Sequence, residues 1–390
     1  MSKPDWICSP GVVEETATGT VTKVGASGKG ELKFAIEHSD PDGAVIECNG
    51  ALHGAALGIG ENYRSYEVVR KDPIRVTIVA GSDHVSIGPM SWANKKLAGG
   101  APGFAVEHLR LEGVTVDGRF AQSPLSGVYM QQYGDIEFIN MTLLSTPSKT
   151  KWGSRINGHA RSLTAKGCTM IGGGIEHAFY WDNPTGEGSF VRIENCLFKG
   201  WKRTACQIVT RERPVANNPY VNPGAAEGDC IIDGNEARAC GWEGSHNFTV
   251  TGWPNGTVFF RNNRGKSTET TGLFVSYKDF KQGKMLTPAG FQVARLVWKD
   301  NEGRYSESDR HMNMIGSVER LEIVGGNLKR LNLFGNKAAF QLDHLGANGS
   351  EEIRSRVDPN EWNVQTGQGP WLRGKTAFDP RSLWTDEQDA

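Results

Sequence analysis

The sequence predicts an all-β solenoid, in which one short strand is written repeatedly and each copy stacks on the last. Three observations carry this. The stretch "VRIENCLFKGW" (191–201) alternates apolar and polar residues, and "LRLEGVTVDG" from Leu109, "IEFINMTLLS" from Ile136 and "LTAKGCTMIG" from Leu163 follow the same template. A residue type that bends the backbone recurs at one fixed place in every copy. The 390 residues include 49 glycines and 38% hydrophobic side chains, enough for a large core in a chain that turns often.

The aligned strands begin at Leu109, Ile136, Leu163, Val191, Cys230, Val258, Leu296 and Leu321, with steps of 27, 27, 28, 39, 28, 38 and 25 residues. Their third residues, Leu111, Phe138, Ala165, Ile193, Ile232, Phe260, Trp298 and Ile323, are all apolar and define a core side. Their fifth residues are Gly113, Asn140, Gly167, Asn195, Gly234, Asn262, Asp300 and Gly325. Only types that tolerate left-handed or bridge backbone occur there. The sixth position is apolar at Val114, Met141, Cys168 and Cys196 and then drifts. A second strand per repeat is expected in 127–132, 177–182, 205–210 and 272–277. The longer steps place extra residues near 211–228 and 278–291, as loops on a rigid scaffold.

These columns resemble the right-handed single-stranded parallel β-helix of the pectate-lyase-like superfamily, over roughly residues 20 to 345. The stretch "GASGKGELKFAIEHSDPDGAVIECNGAL" (25–52) looks like that family's entry, a short capping helix followed by the first strand. The expected organisation is an N-terminal cap with entry strands over 1–70, the β-helix over 71–345, and a non-repeating extension over 346–390. That extension carries Trp362, Trp371 and Trp384 and is expected to cap the last repeat or grip another subunit. The superfamily includes polysaccharide lyases, hydrolases and phage tailspikes. The resemblance therefore implies a polysaccharide partner and, for the tailspike type, a homotrimer among other virion proteins.

The charge balance, 43 Lys plus Arg against 44 Asp plus Glu, provides no global pull toward nucleic acid or anionic membranes. The opening "MSKPDWICSPGVVEE" shows neither an export signal nor a spanning segment. Synthesis in a host cytoplasm followed by placement on a virion surface is the expectation, with an extracellular enzyme as the alternative. Seven cysteines without a CxxC pair fit reduced, buried thiols. No cofactor and no metal site is expected. "GPWLRGKT" (369–376) satisfies a phosphate-loop pattern, but Pro370 and the 14 residues left after Thr376 deny it the flanking strand and helix.

At the ninth position Asp117, Leu144 and Ile171 give way to Lys199, Arg238, Lys266, Arg304 and Lys329. Stacking would align these cations in a ladder, balanced by solvent and by acids such as Glu194 and Glu302, or by an acidic polysaccharide lying along it. Trp152, Trp181, Trp201, Trp242 and Trp253 are candidates to stack on sugar rings, with about half of them expected in the core. The densest catalytic candidates are Glu176, His177 and Asp182, with Lys202, Arg203, Arg211 and Arg213 one repeat later. A lyase would use His177 or Lys202 as base and Arg211 as clamp on a uronic carboxylate. A hydrolase would need two carboxylates about 5 to 9.5 Å apart, for which Glu176 and Asp182 are the nearest pair. Ordinary rim charges account for the same residues.

Three functions are left: a bacteriophage attachment β-helix that recognises and in some cases degrades host surface polysaccharide, a polysaccharide lyase or glycoside hydrolase acting on acidic glycans, and a purely structural β-helix subunit. Whether the chain is an enzyme stays open at this point.

Overall fold

The structure is a computed structural model that describes residues 3–16, 19–23, 31–52, 72–88, 90–92, 106–117, 128–144, 156–172, 177–182, 188–209, 227–240, 247–267, 274–276, 293–305, 313–316, 318–324, 331–334 and 341–342. It divides into two compact units, Met1–Ile171 and Gly172–Ala390. The 346–390 extension, with its three tryptophans and the 369–376 motif, lies outside the described residues.

Unit 1 runs β1 (Trp6–Ser9), β2 (Val12–Glu15), β3 (Thr20–Lys23), α1 (Glu31–His38), β4 (Ala44–Cys48), β5 (Ala51–Leu52), β6 (Ile74–Ala80), β7 (Ser86–Ile87), β8 (Met90–Trp92), β9 (Val106–Glu112), β10 (Thr115–Asp117), β11 (Val128–Ile139), β12 (Thr142–Leu144), β13 (Ile156–Lys166) and β14 (Thr169–Ile171). Unit 2 continues with β15 (His177–Asp182), β16 (Phe190–Glu194), β17 (Leu197–Lys199), β18 (Thr204–Val209), β19 (Cys230–Asp233), β20 (Glu236–Arg238), β21 (Phe248–Thr251) and β22 (Trp253–Arg261). It ends with β23 (Arg264–Ser267), β24 (Phe274–Ser276), β25 (Val293–Lys299), β26 (Glu302–Tyr305), β27 (Asn313–Gly316), β28 (Val318–Val324), β29 (Leu331–Phe334) and β30 (Gln341–Leu342).

The strands are mostly parallel and lie in stacked sheets, an all-β arrangement compatible with a β-helix-like solenoid. In unit 2 the chain visits three parallel ladders in turn: β15–β18–β21–β24–β27–β29, β16–β19–β22–β25–β28–β30 and β17–β20–β23–β26. Register follows the repeat residue for residue. Leu109 faces Ile136, and Ile136 faces Leu163; Val191 faces Cys230, then Val258, Leu296 and Leu321 follow in line. The same pairing extends back through Ile46 and Ile78 on β4 and β6, facing Leu111 on β9, so the repeat starts earlier than the sequence template does. The antiparallel strands β1, β2 and β3 precede it, followed by the helix α1 and the strand β4, the helix and strand that the stretch 25–52 predicts.

The template positions do what their residue types allow. Third-position side chains from Leu111 to Trp298 are fully buried. In unit 2 the core is a file of rings, Phe179, Phe198, Phe248, Phe260 and Trp298, with successive centroids 5.9, 6.0, 5.4 and 5.0 Å apart. These rings come from all three ladders, so burying each, worth roughly 1.5–3 kcal/mol, also ties the ladders together.

Every described fifth position, Gly113 to Asp300, has positive φ, between 50° and 69°. Glycine and asparagine alternate there for a steric reason. A Cβ on Gly167 would lie 2.4 Å from Asn140 Oδ1, and one on Gly234 the same distance from Asn195 Oδ1. Through the bend the backbone keeps its bonds: the N–H of Asn140 donates to Lys166 O at 2.8 Å, and that of Asn195 to Asp233 O at 2.9 Å.

After Cys196 the sixth position does not drift. It is a column of asparagines, Asn235, Asn263 and Asn301, each fully buried. Each Nδ2 donates to the third-position carbonyl one repeat back: Asn235 to Ile193 at 2.7 Å, Asn263 to Ile232 at 2.8 Å, Asn301 to Phe260 at 2.7 Å. Each Oδ1 accepts the backbone N–H of Cys196, Asn235 or Asn263 in the same way. The second Nδ2 hydrogen runs to the next asparagine's Oδ1. At a corner where strand-to-strand bonding breaks, the amides replace the missing partners.

Unit 1 fixes charges on its outer surface. Arg161 grips Asp135 through Nε at 3.0 Å and Nη2 at 2.5 Å, Ser162 Oγ donates to the same carboxylate, and Glu107 lies 3.3 Å from Nη2. Burial pushes the Asp135 carboxyl up, but the Arg161 and Ser162 bonds together with the Arg161 charge outweigh it and hold the group below its usual value.

Three outcomes follow for stability. Asn263→Leu strands the buried Asn235 N–H and Ile232 carbonyl and should cost about 3 kcal/mol or more in urea unfolding, whereas Asp300→Gly should be neutral or stabilising by about 1 kcal/mol because its backbone is already left-handed. Because Asp135 is depressed when folded, its contribution is present above the unfolded carboxyl value of about 3.9 and is lost as pH falls through the lower folded value. Arg161→Ala should raise the Asp135 pKa in a carboxyl-carbon NMR titration and flatten stability against pH on the acid side of that value; an unmoved titration refutes the assignment.

Candidate polyanion-binding ladder

The short strands β17, β20, β23 and β26 carry template positions seven to nine. On β17 and β20 the middle residues Phe198 and Ala237 are buried, so by strand alternation Leu197, Lys199, Glu236 and Arg238 occupy the opposite face, and on β23 Arg264 is exposed beside the buried Gly265. Register aligns the ninth-position residues: Lys199 faces Arg238, Arg238 faces Lys266, and Lys266 faces Arg304. The expected ladder of cations is therefore present in the backbone pairing, one basic residue per strand at a spacing of about 4.8 Å. Lys329 lies outside the described residues.

Position seven supplies a second column, Leu197, Glu236, Arg264 and Glu302. By register, the two columns together hold two acids and five bases. Glu236 meets Arg238 in a two-pronged pair, Nε to Oε1 at 2.6 Å and Nη2 to Oε2 at 3.1 Å. Both side chains are about one-third exposed, so the pair contributes little to stability. Like charges directly opposite one another on neighbouring strands cost energy. The equivalent column in unit 1 holds Asp117, Leu144 and Ile171 and shows no such feature.

The catalytic candidates fare differently. His177 opens β15 in register with Thr204, is only 3% exposed, and its Nδ1 is hydrogen-bonded to the Thr204 hydroxyl. It shares the strand face of Phe179 and Trp181, both fully buried, and its ring lies 5.5 Å from that of Tyr180. An imidazole enclosed in this way has little surface open to a polymer. Asp182 ends the same strand in register with Val209. Lys202 is partly exposed and Arg203 exposed in the segment joining β17 to β18. Glu176, Arg211 and Arg213 lie outside the described residues, so no catalytic constellation is assembled among the described ones.

The tryptophans require a correction. Trp181, Trp201 and Trp253 are fully buried and offer no face to a sugar. Trp253 donates Nε1–H to Gly228 O at 2.9 Å, and a Cβ on Gly172 would come within 2.8 Å of the Trp201 ring, which is core packing at contact distance. Trp152 and Trp242 lie outside the described residues.

Neutralising the acid in the ladder separates structure from binding charge. Glu236→Gln should change stability by no more than about 0.5 kcal/mol and lengthen retention on a sulfated-polymer column, while Arg238→Gln shortens it. Equal retention of both variants and the parent would mean the ladder does not act as a charged surface. Compared with protein-family models, with curated proteins and with solved structures, the chain matches none.

Proposed function

We propose that this chain is a right-handed single-stranded parallel β-helix of the attachment-spike type, which binds an acidic polysaccharide of a host surface along the ladder of Lys199, Arg238, Lys266 and Arg304. The observation that carries the reading is the register that brings four basic residues into one column. A column of like charge is costly in the free protein and becomes favourable when a polymer with regularly spaced anions lies over it. The solenoid suits this use because strand stacking repeats the same group at a constant interval.

Binding without cleavage is favoured over a lyase or hydrolase by the enclosure of His177 and its bond to Thr204. The proposed setting is a virion surface, with homotrimers formed alongside other virion proteins.

The test is binding of the purified chain to uronic-acid-containing capsule and to a neutral glucan, with product ends followed in the same tubes. The acidic polymer should bind, weaken steeply with added salt, and lose roughly threefold to tenfold in affinity for each of Lys199→Gln and Arg238→Gln, about 0.7–1.4 kcal/mol. Equal binding of the neutral glucan would remove the ladder from the account, and appearance of unsaturated or reducing ends would restore the enzyme reading.

A further inference from the structure

We propose that Cys8 and Cys48 form a reversible disulfide that staples the first strand of unit 1 to its neighbour when the chain enters an oxidising medium. The two residues face each other in register on the parallel strands β1 and β4. Both are free, and neither has exposed surface. Neighbouring parallel strands lie about 4.8 Å apart, within the range of about 4.4–6.8 Å found between the Cα atoms of a disulfide.

The neighbouring Cys8 side chain, followed by burial, holds the Cys48 thiol well above the ordinary range. Cys8 Sγ in addition lies 3.8 Å from the Glu31 carbonyl. By strand register Cys206 faces Phe179 and Phe248, and Cys230 faces Val191 and Val258, so neither stands opposite a cysteine on a neighbouring strand, although Cys206 is near enough to raise the Cys230 thiol.

The position gives the bond a consequence. Residues between the two cysteines include β2, β3 and α1, so the bond closes a loop over the whole entry segment. That segment is otherwise held by strand pairing and by contacts such as Trp6 edge-on to Phe34 at 6.1 Å. A covalent link restricts the unfolded loop and stabilises the closed entry. In-register residues on parallel strands direct their Cβ atoms side by side rather than toward each other, so the bond forms under strain and is readily reduced.

The chemistry balances with a disulfide oxidant such as oxidised glutathione. The Cys8 thiolate attacks one glutathione sulfur and releases one glutathione thiolate. Cys48, its proton lost to solvent, then attacks the Cys8 sulfur and expels the second glutathione. Two protein thiols give up two protons and two electrons, and glutathione disulfide becomes two thiols.

The experiment incubates the full chain with oxidised glutathione under native conditions, alkylates remaining thiols after unfolding, and maps peptides without reduction. A linked peptide joining Cys8 to Cys48 should form ahead of any other, with Cys206, Cys230 and Cys240 still alkylated, and the thermal midpoint should rise by about 5 °C and fall back with dithiothreitol. Cys8→Ser and Cys48→Ser should each abolish the linked peptide and the rise; Cys8→Val, which keeps an apolar side chain, repeats the test if serine impairs folding. A first link between other cysteines, mixed glutathione adducts that never close, or no oxidation of the native chain overturns the proposal.

Discussion

Each repeat has to turn a corner without leaving a buried backbone group unbonded, and this requirement governs the rest of the architecture. The turn occurs at a left-handed residue that costs a non-glycine side chain about 1–2 kcal/mol. Asparagine and aspartate accept that cost at Asn140, Asn195, Asn262 and Asp300, and glycine stands where the neighbouring amide leaves no room for a Cβ. One residue later, strand bonding breaks at the corner. In unit 2 the asparagine column bonds the freed carbonyls and amides across successive repeats. Because each asparagine also bonds the next, the corners reinforce one another, and the strands on either side can be as short as three residues.

The fold was legible because it is written in columns. Apolar third positions, bend-tolerant fifth positions and a period near 27 residues together specify register, and the pairings from Leu109 to Ile136 and from Val191 to Leu321 follow it. The asparagine column was visible in the same alignment but was mistaken for drift, since a polar residue after apolar ones reads as loss of pattern. Buried Asn235, Asn263 and Asn301 show that a repeated polar type at one phase is itself a pattern. The candidate site was less legible. The strand "HAFYWD" has an aromatic on each face, so alternation alone cannot tell whether Trp181 is core or surface; packing against the rest of unit 2 decides it. His177 misled for the same reason, being a chemically versatile residue that lies on the face of Phe179.

The two units treat surface charge in different ways, and the contrast carries more information than either alone. In unit 1, Arg110 sits between Glu112 and Glu137, and Arg161 between Asp135 and Glu107, so each cation has acids within bonding distance. Unit 2 has such pairs too, Arg238 with Glu236 and Arg261 with Asp233, but on its short sheet the bases also stand above one another in register, with Glu236 and Glu302 in the adjoining column. Opposite charges placed at random would seldom leave four bases in one file.

A stacked repeat confines its obligations to the interior and the corners, where ring packing and amide bonds demand particular residues at particular phases. The outward positions of the strands are released from that demand, and in unit 2 the residue types at the seventh position vary from one repeat to the next, through Leu197, Glu236, Arg264 and Glu302, whereas unit 1 keeps threonine there at Thr115, Thr142 and Thr169. Against such variation, a column that keeps one charge sign in register over four strands is the feature that the requirements of folding do not explain. The buried asparagines are repeated because the corner requires them; the basic column is repeated although no bend or buried group requires it. That difference separates the part of the pattern that builds the scaffold from the part the scaffold presents.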